Sequence, residues 1–456
     1  MIYRIFPSKD TFITDVKKSA VPQTGSNFGA SEILDLFKVS GVSGTTGYAA
    51  SSSISRLLIQ WDLSELASLT ASGKAPSTGS TYNLKLFDAR HSGKMPTSFD
   101  IEIAPLTTAW DEGRGLDNDT YLDLGAANWD KATTTTWWTS TGSDFSTTNT
   151  ASYSFSLGNE NVDVDISSIV GAWLTGSLVN NGLMIRFTNT EELNSTNYYH
   201  KKFHGRETSF FDKKPTIEMK WDDSIKDDRA TFLFGVSSSL YLYNKQRGQL
   251  TNISGVGTSG QVLSVAINDL SGTIQNVSAS HTGLTGIYSA SIVLATGSHS
   301  GSAFSDRWHL NGATYMTGAF TPHNDGPFSS NNQQQYIVSI KNLKKNYENS
   351  ELVRFNLFVR TRNYNPAVVL TGSLTLNNTI IEKGYYRIDN FTTGKEVIPL
   401  GTGTIETTRL SYDQNGNYFN FHMNTLAKKE LYNIVFFFQI DGQLQKINQD
   451  FKFKLI

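Results

Sequence analysis

Acidic residues gather at Asp111, Glu112, Asp117, Asn118, Asp119 and Asp123, and Gly113 and Gly115 between them permit sharp turns. Hard oxygen ligands in such a loop could collect a calcium ion, with Asp111, Asp117 and Asp119 as its ligands. The spacing departs from the EF-hand loop, so a solvated loop is the plainer reading and no other cofactor is expected. The same carboxylates could serve as acid and base in glycoside hydrolysis if a cleft held two of them at the right separation.

Tryptophans at 110, 129, 137, 138 and 173 are of the type that stacks on the apolar faces of sugars. Trp137 and Trp138 are adjacent, so in an extended segment they point to opposite faces and one is expected in solvent. They are the expected glycan contact. Of eight histidines, only His200 and His204 are close, at a spacing that shares a helical face but lies among β-forming residues. Zinc needs a third ligand and an ordered shell behind it, so His204, Arg206 and Glu207 read better as a surface turn with an Arg–carboxylate bridge. Gly255-Val256-Gly257-Thr258-Ser259-Gly260 has dinucleotide-loop spacing, but the segment after it, Val262 to Ile267, alternates like a strand, so a hairpin loop is expected. The chain lacks a Gly-x-Ser-x-Gly elbow, a His-Glu-x-x-His and a Walker loop. No catalytic residues are assigned, and the chain is read as a non-enzyme.

The elements that must position these residues are strands. Short alternating runs recur throughout, such as Tyr82-Asn83-Leu84-Lys85-Leu86-Phe87, Thr216 to Trp221 and Phe355 to Arg360. Two helices are expected. Asp165 to Leu174 has Asp165 as a cap and Ile166, Ile169, Val170 and Trp173 on one side. The second, Ser64 to Leu69, follows the strand Arg56 to Trp61. Asp222-Asp223-Ser224-Ile225-Lys226-Asp227-Asp228 reads as a linker, and a second boundary is expected near Ser329 to Gln335.

At 456 residues the chain exceeds one core. Hydrophobic residues make up 38% and charged ones only 18%, the balance being Thr, Ser, Asn and Gly, which is a strand-and-turn composition. There is no cysteine, hence no disulfide, thiolate metal site or Cys nucleophile. Neither a signal-peptide core nor a stretch of about 18 apolar residues occurs, so a soluble product made in a cytoplasm, without membrane insertion, is expected. Net charge is −2, but residues 1–224 carry 19 Lys/Arg against 26 Asp/Glu, 225–334 carry 5 against 5, and 335–456 carry 15 against 10. The acidic front argues against nucleic acid as a partner. A nearly uncharged middle suits a flank covered by neighbouring subunits.

Several motifs in order carry a resemblance over the first half of the chain. They are Lys9-Asp10-Thr11-Phe12-Ile13, Ser26-Asn27-Phe28-Gly29-Ala30, Ser55 to Ser64, and Thr107-Thr108-Ala109-Trp110-Asp111-Glu112. They continue with Ala127-Asn128-Trp129, Trp138, Gly142-Ser143-Asp144-Phe145, Asp163-Val164-Asp165-Ile166, Asn181-Gly182-Leu183 and Gly205-Arg206-Glu207 before Pro215. Together they resemble the DNRLRE-type domain, a carbohydrate-binding-module-like jelly roll of bacterial surface and secreted proteins. Val338 to Leu343, Phe355 to Arg360, Tyr385 to Ile388, Val397 to Thr404 and Ser411 to Phe419 are similar to the last domain of virion structural proteins of tailed bacteriophages.

The resulting expectation is an all-β chain: a jelly-roll β-sandwich over 1–224, then immunoglobulin-like β-sandwich domains over 225–334 and 335–456. The resemblance implies a structural subunit at the neck, tail or baseplate of a phage particle, located in the virion, with copies of itself and other virion proteins as partners. A glycan-binding adhesin on the host surface is the alternative, and a polysaccharide hydrolase ranks last.

Overall fold

The computed structural model describes residues 1–18, 21–22, 25–40, 52–90, 96–117, 121, 123–257, 260–297, 299, 303–324, 335–362, 378–440 and 442–456. The chain is nearly all-β, its strands gathered into sheets that pack as β-sandwiches. Its contacts divide it into two compact units: Tyr3–Ala67 with Ser80–Lys220, and Met1–Ile2, Ser68–Gly79 with Trp221–Ile456.

In the first unit a four-stranded sheet runs in the order Ile2–Ile5, Thr216–Lys220, Thr81–Leu86, Val162–Asp165. A larger sheet has the order Tyr199–His204, Ile33–Ser40, Ser52–Trp61, Leu183–Phe187, Phe99–Pro105, Ala151–Phe155, with Pro7–Thr14 also paired to Ser52–Trp61. Thr81–Leu86 alternates strictly between half-buried and buried positions, as its sequence suggests. Leu183–Phe187 does not: all five residues are buried. The reason is that the larger sheet is covered on both faces, so polar alternation has no solvent side to serve. Leu58, Ala104 and Met184 pack against Trp110, Trp129 and Trp138 of the long segment that follows Pro105. Gly182 sits at φ +91°, and a Cβ there would lie 2.4 Å from the Ile59 carbonyl oxygen, which is why glycine precedes this strand.

Both expected helices form, at Ser64–Ala71 and Ser167–Thr175. Ile166, Ile169, Val170 and Trp173 are buried, and the Asp165 carboxylate accepts the Ser167 N–H at 2.7 Å.

The second unit holds the two smaller sandwiches. The first pairs Ser238–Tyr243, Ile287–Ile292 and Ser280–His281 in one sheet. Its other sheet runs Gly272–Ser278, Leu263–Asp269, Phe304–Leu310, Ala313–Phe320, and Phe232, Tyr288, Phe304, Trp308 and Phe320 lie between the two. The last sandwich stacks Phe355, Tyr386, Phe419, Phe436 and Phe453 between the sheet Tyr336–Ile340, Leu352–Thr361, Gly416–His422, Ser411–Asp413 and the sheet built on Leu431–Ile440.

The linker reading of residues 222–228 needs correction. Asp227 is buried, as is Arg229 just beyond the run, and the segment is hydrogen-bonded on both sides. Ile225 N–H donates to Ser411 Oγ at 3.0 Å, Asp227 N–H to the Tyr412 carbonyl at 3.1 Å, and the Tyr412 hydroxyl to Asp228 at 2.6 Å. On the other side Ser239 N–H donates to Asp228 at 2.6 Å, and Arg229 bridges Asp227 and Asp306. A charged run in sequence normally signals solvent, but here opposite charges neutralise one another and can be enclosed. Of the second expected boundary, residues 329–334 lie outside the described residues.

Candidate functional site

Trp110 and Trp138 are pinned by their indole N–H groups, which donate to the carbonyls of Asn181 at 2.9 Å and Asn128 at 2.8 Å. Trp129 lies under the Arg56 guanidinium, 5.2 Å away. The adjacent pair separates as expected: Trp137 is 64% exposed and Trp138 only 5%. Trp138 therefore cannot offer a ring face to a ligand and is withdrawn as a glycan contact. Trp137 stands in a loop fixed by the Thr133 side chain, which accepts the N–H groups of Thr135 and Thr136, and the Lys131 ammonium lies 4.5 Å from its ring centre.

The acidic loop spends its oxygens on its own backbone. Asp117 accepts the Tyr121 N–H at 3.0 Å, and Asp123 accepts those of Arg114 and Gly125 at 2.9 and 3.2 Å. Asp111 is exposed, and Asp119 lies outside the described residues. Among the described residues no three His, Asp or Glu side chains come together as a metal site. His200 and His204 sit at the two ends of Tyr199–His204, where four residues of extended chain separate them by about 13 Å, too far to share an ion. His200 meets Asp35 at 2.6 Å and His204 meets Thr208 at 3.2 Å. Arg206 does form the expected bridge, to Glu207 at 2.7 Å, and also grips Glu112. In the glycine-rich loop, Gly255, Gly257 and Gly260 have positive φ and the strand Leu263–Asp269 follows, with residues 258–259 outside the described residues.

Sequence reasoning missed the buried charges. Arg56 donates to both Glu192 oxygens at 3.1 and 2.9 Å and to the Gly142 carbonyl at 2.8 Å. Arg186 holds Glu102 at 2.7 Å and reaches Glu192 at 3.4 Å. Glu218, fully enclosed, is held by Arg4 at 2.8 Å and Lys85 at 3.0 Å. The signal available was a charged residue inside an apolar run, as in Leu183-Met184-Ile185-Arg186-Phe187 or Thr216-Ile217-Glu218-Met219.

Burial disfavours the charged form of Glu218, but Arg4 and Lys85 overcome it and hold the carboxyl down at about 2. A depressed folded value means stability that is complete above the unfolded value and lost as pH falls through the folded one. We expect Glu218→Gln to remove roughly 3 kcal/mol at neutral pH and to flatten the acid limb between about pH 4.5 and 2. Urea titrations across that range check it, and an unchanged acid limb would refute the assignment.

Asp10 is a different case. It is 1% exposed; its Oδ2 accepts the Arg206 backbone N–H, and its Oδ1 has no hydrogen-bond partner among the described residues. The Arg206 guanidinium is engaged by Glu112, at 3.1 Å through Nε and 3.0 Å through Nη2, so it does little for Asp10. Burial, aided by the nearby Glu112 charge, pushes the Asp10 carboxyl up to about 7.

No family model matches the chain and no curated protein matches it. Among solved structures it is similar to the N-terminal Ig1-2 module of the Drosophila receptor protein tyrosine phosphatase DLAR. That likeness has 7% identity and a TM-score of 0.16, over 52% of this chain and 96% of that one. It is also similar to the FN1-FN3 domains of chicken CNTN1, at 8% identity and a TM-score of 0.16, over 83% of this chain and 100% of that one. Likenesses this distant carry no argument about function.

Proposed function

We infer that this chain is a structural subunit of a bacteriophage particle, acting through contacts with copies of itself and with other virion proteins at the neck, tail or baseplate. The observation that supports this reading is the use made of ionisable groups. Arg56–Glu192–Arg186–Glu102 and Arg4–Glu218–Lys85 tie neighbouring strands of a sheet to one another, and Asp227–Arg229–Asp306 ties the segment after Asp222 to the strand Phe304–Leu310. Such bracing stiffens a building block. The motif resemblance to phage virion proteins adds to it. Mass spectrometry of purified particles and their imaging test the reading: the chain should be present at a fixed stoichiometry at a symmetric position, and its absence from washed particles would refute the role.

A second reading, a glycan-binding adhesin, is favoured by the exposure of Trp137 in a fixed loop. The full chain and its Trp137→Ala variant on a glycan array decide it. Binding lost in the variant supports the adhesin, and no binding by the parent dismisses it.

A further inference from the structure

The border strand Ser411–Asp413 of the last sandwich is not left open. Residues 225–227, which precede the first small sandwich in the chain, run parallel to it. Tyr412 N–H donates to the Ile225 carbonyl at 2.9 Å and Asp227 N–H to the Tyr412 carbonyl at 3.1 Å, with Lys226 opposite Tyr412. Ile225 N–H adds a bond to Ser411 Oγ at 3.0 Å, and the Lys226 ammonium lies 3.7 Å from Glu406. The very next residues belong to the first small sandwich. Asp228 accepts the Ser239 N–H at 2.6 Å, and Arg229 donates to the Tyr241 carbonyl at 2.7 Å and to Asp306 at 2.6 Å. Asp228 is shared, because its other oxygen accepts the Tyr412 hydroxyl at 2.6 Å. At a second point Gln414 donates to the Ala319 carbonyl of the strand Ala313–Phe320 at 3.2 Å. Ile225, Asp227, Arg229, Ser411 and Tyr412 are buried.

Tandem modules normally turn about a linker, and a hinge needs a few residues whose φ and ψ are free to change. From Ile225 to Arg229 each residue is bonded to one sandwich or the other, so this crossing holds no such residue. Sequence order sets the whole first small sandwich between the added strand and its pairing partner, since Ile225 and Ser411 are 186 positions apart. We propose that residues 225–227 are a strand of the last sandwich, that the first small sandwich is an insertion held within it, and that the two move as one rigid arm latched at Tyr412. Turning one against the other must break two backbone hydrogen bonds and leave groups of the buried Tyr412 without partners, which is costly. Such an arm suits a particle subunit and an adhesin alike, so the latch stands or falls apart from those two readings.

The chain has no cysteine, so two introduced ones can be spin-labelled without background. Asn276→Cys on the first small sandwich and Gln443→Cys on the last are both at exposed positions. In the otherwise wild-type full chain, pulsed electron spin resonance should read one narrow distance distribution between the labels. Ser411→Ala/Tyr412→Ala removes the hydroxyl partners of Ile225 and Asp228, and both positions lie outside the apolar core of the last sandwich. In that variant the distribution should be at least about twofold broader, as motion about a released joint requires. Circular dichroism confirms that the variant folds, and Ser411→Ala/Tyr412→Phe, which keeps the ring, replaces it if it does not. A broad distribution in the parent overturns the rigid arm, and an unchanged narrow one in the folded variant overturns the latch at Tyr412.

Discussion

Replacing Arg229 by Met should lower the stability of the second unit by about 3–5 kcal/mol, the usual cost of stripping one partner from an enclosed ion pair. Arg229 donates to Asp306 at 2.6 Å, to Asp227 at 2.7 Å and to the Tyr241 carbonyl at 2.7 Å, and the Asp306 side chain has no solvent exposure. Without the guanidinium, Asp306 retains the Trp308 indole N–H at 2.8 Å but no countercharge. The penalty comes from the stranded carboxylate, so Arg229→Met with Asp306→Asn should recover a large part of it. Urea unfolding followed through tryptophan fluorescence measures both variants. A loss under about 1 kcal/mol in the single variant would mean the charge reaches water, against the enclosure described here.

Asp10 gives the second large effect, with the opposite pH sense from Glu218. A carboxyl held at about 7 when folded and near 4 when unfolded binds its proton more tightly in the folded state. The wild-type protein therefore loses stability as pH rises from about 4 to about 7, by roughly 4 kcal/mol at most, and the loss levels off above that. Asp10→Asn keeps an oxygen for the Arg206 N–H and carries no charge. The variant should be the more stable protein at about pH 8 and close to wild type at about pH 5, so the two stability curves converge toward acid. Parallel curves across this range would show that Asp10 is ionised throughout. Gly205 belongs to the same arrangement, since a Cβ there would sit 3.1 Å from Asp10 Oδ2 and 3.2 Å from the Ser31 carbonyl oxygen.

Much of the fold was legible because strand alternation is local. Tyr82 to Leu86, Thr216 to Lys220 and Phe355 to Arg360 announce a period of two, and the helix Ser167–Thr175 shows its buried side in Ile169, Val170 and Trp173. The adjacent tryptophans 137 and 138 were legible only as an alternative. Backbone geometry sends them to opposite sides, but which side is solvent depends on Asn128, whose carbonyl receives the Trp138 indole N–H. The acidic run at 222–228 misled because a charge in sequence is the same whether its partner is water or an arginine.

By itself, then, the sequence determined that the chain is built of strands and where several of them and its two longer helices lie, since each follows from neighbours a few positions away. Tertiary structure decided the fate of the charges. Arg56 meets Glu192 across 136 positions, Arg4 meets Glu218 across 214 and Arg229 meets Asp306 across 77. An ion pair depends on distance in space and on exclusion of water, and neither leaves a trace in local periodicity.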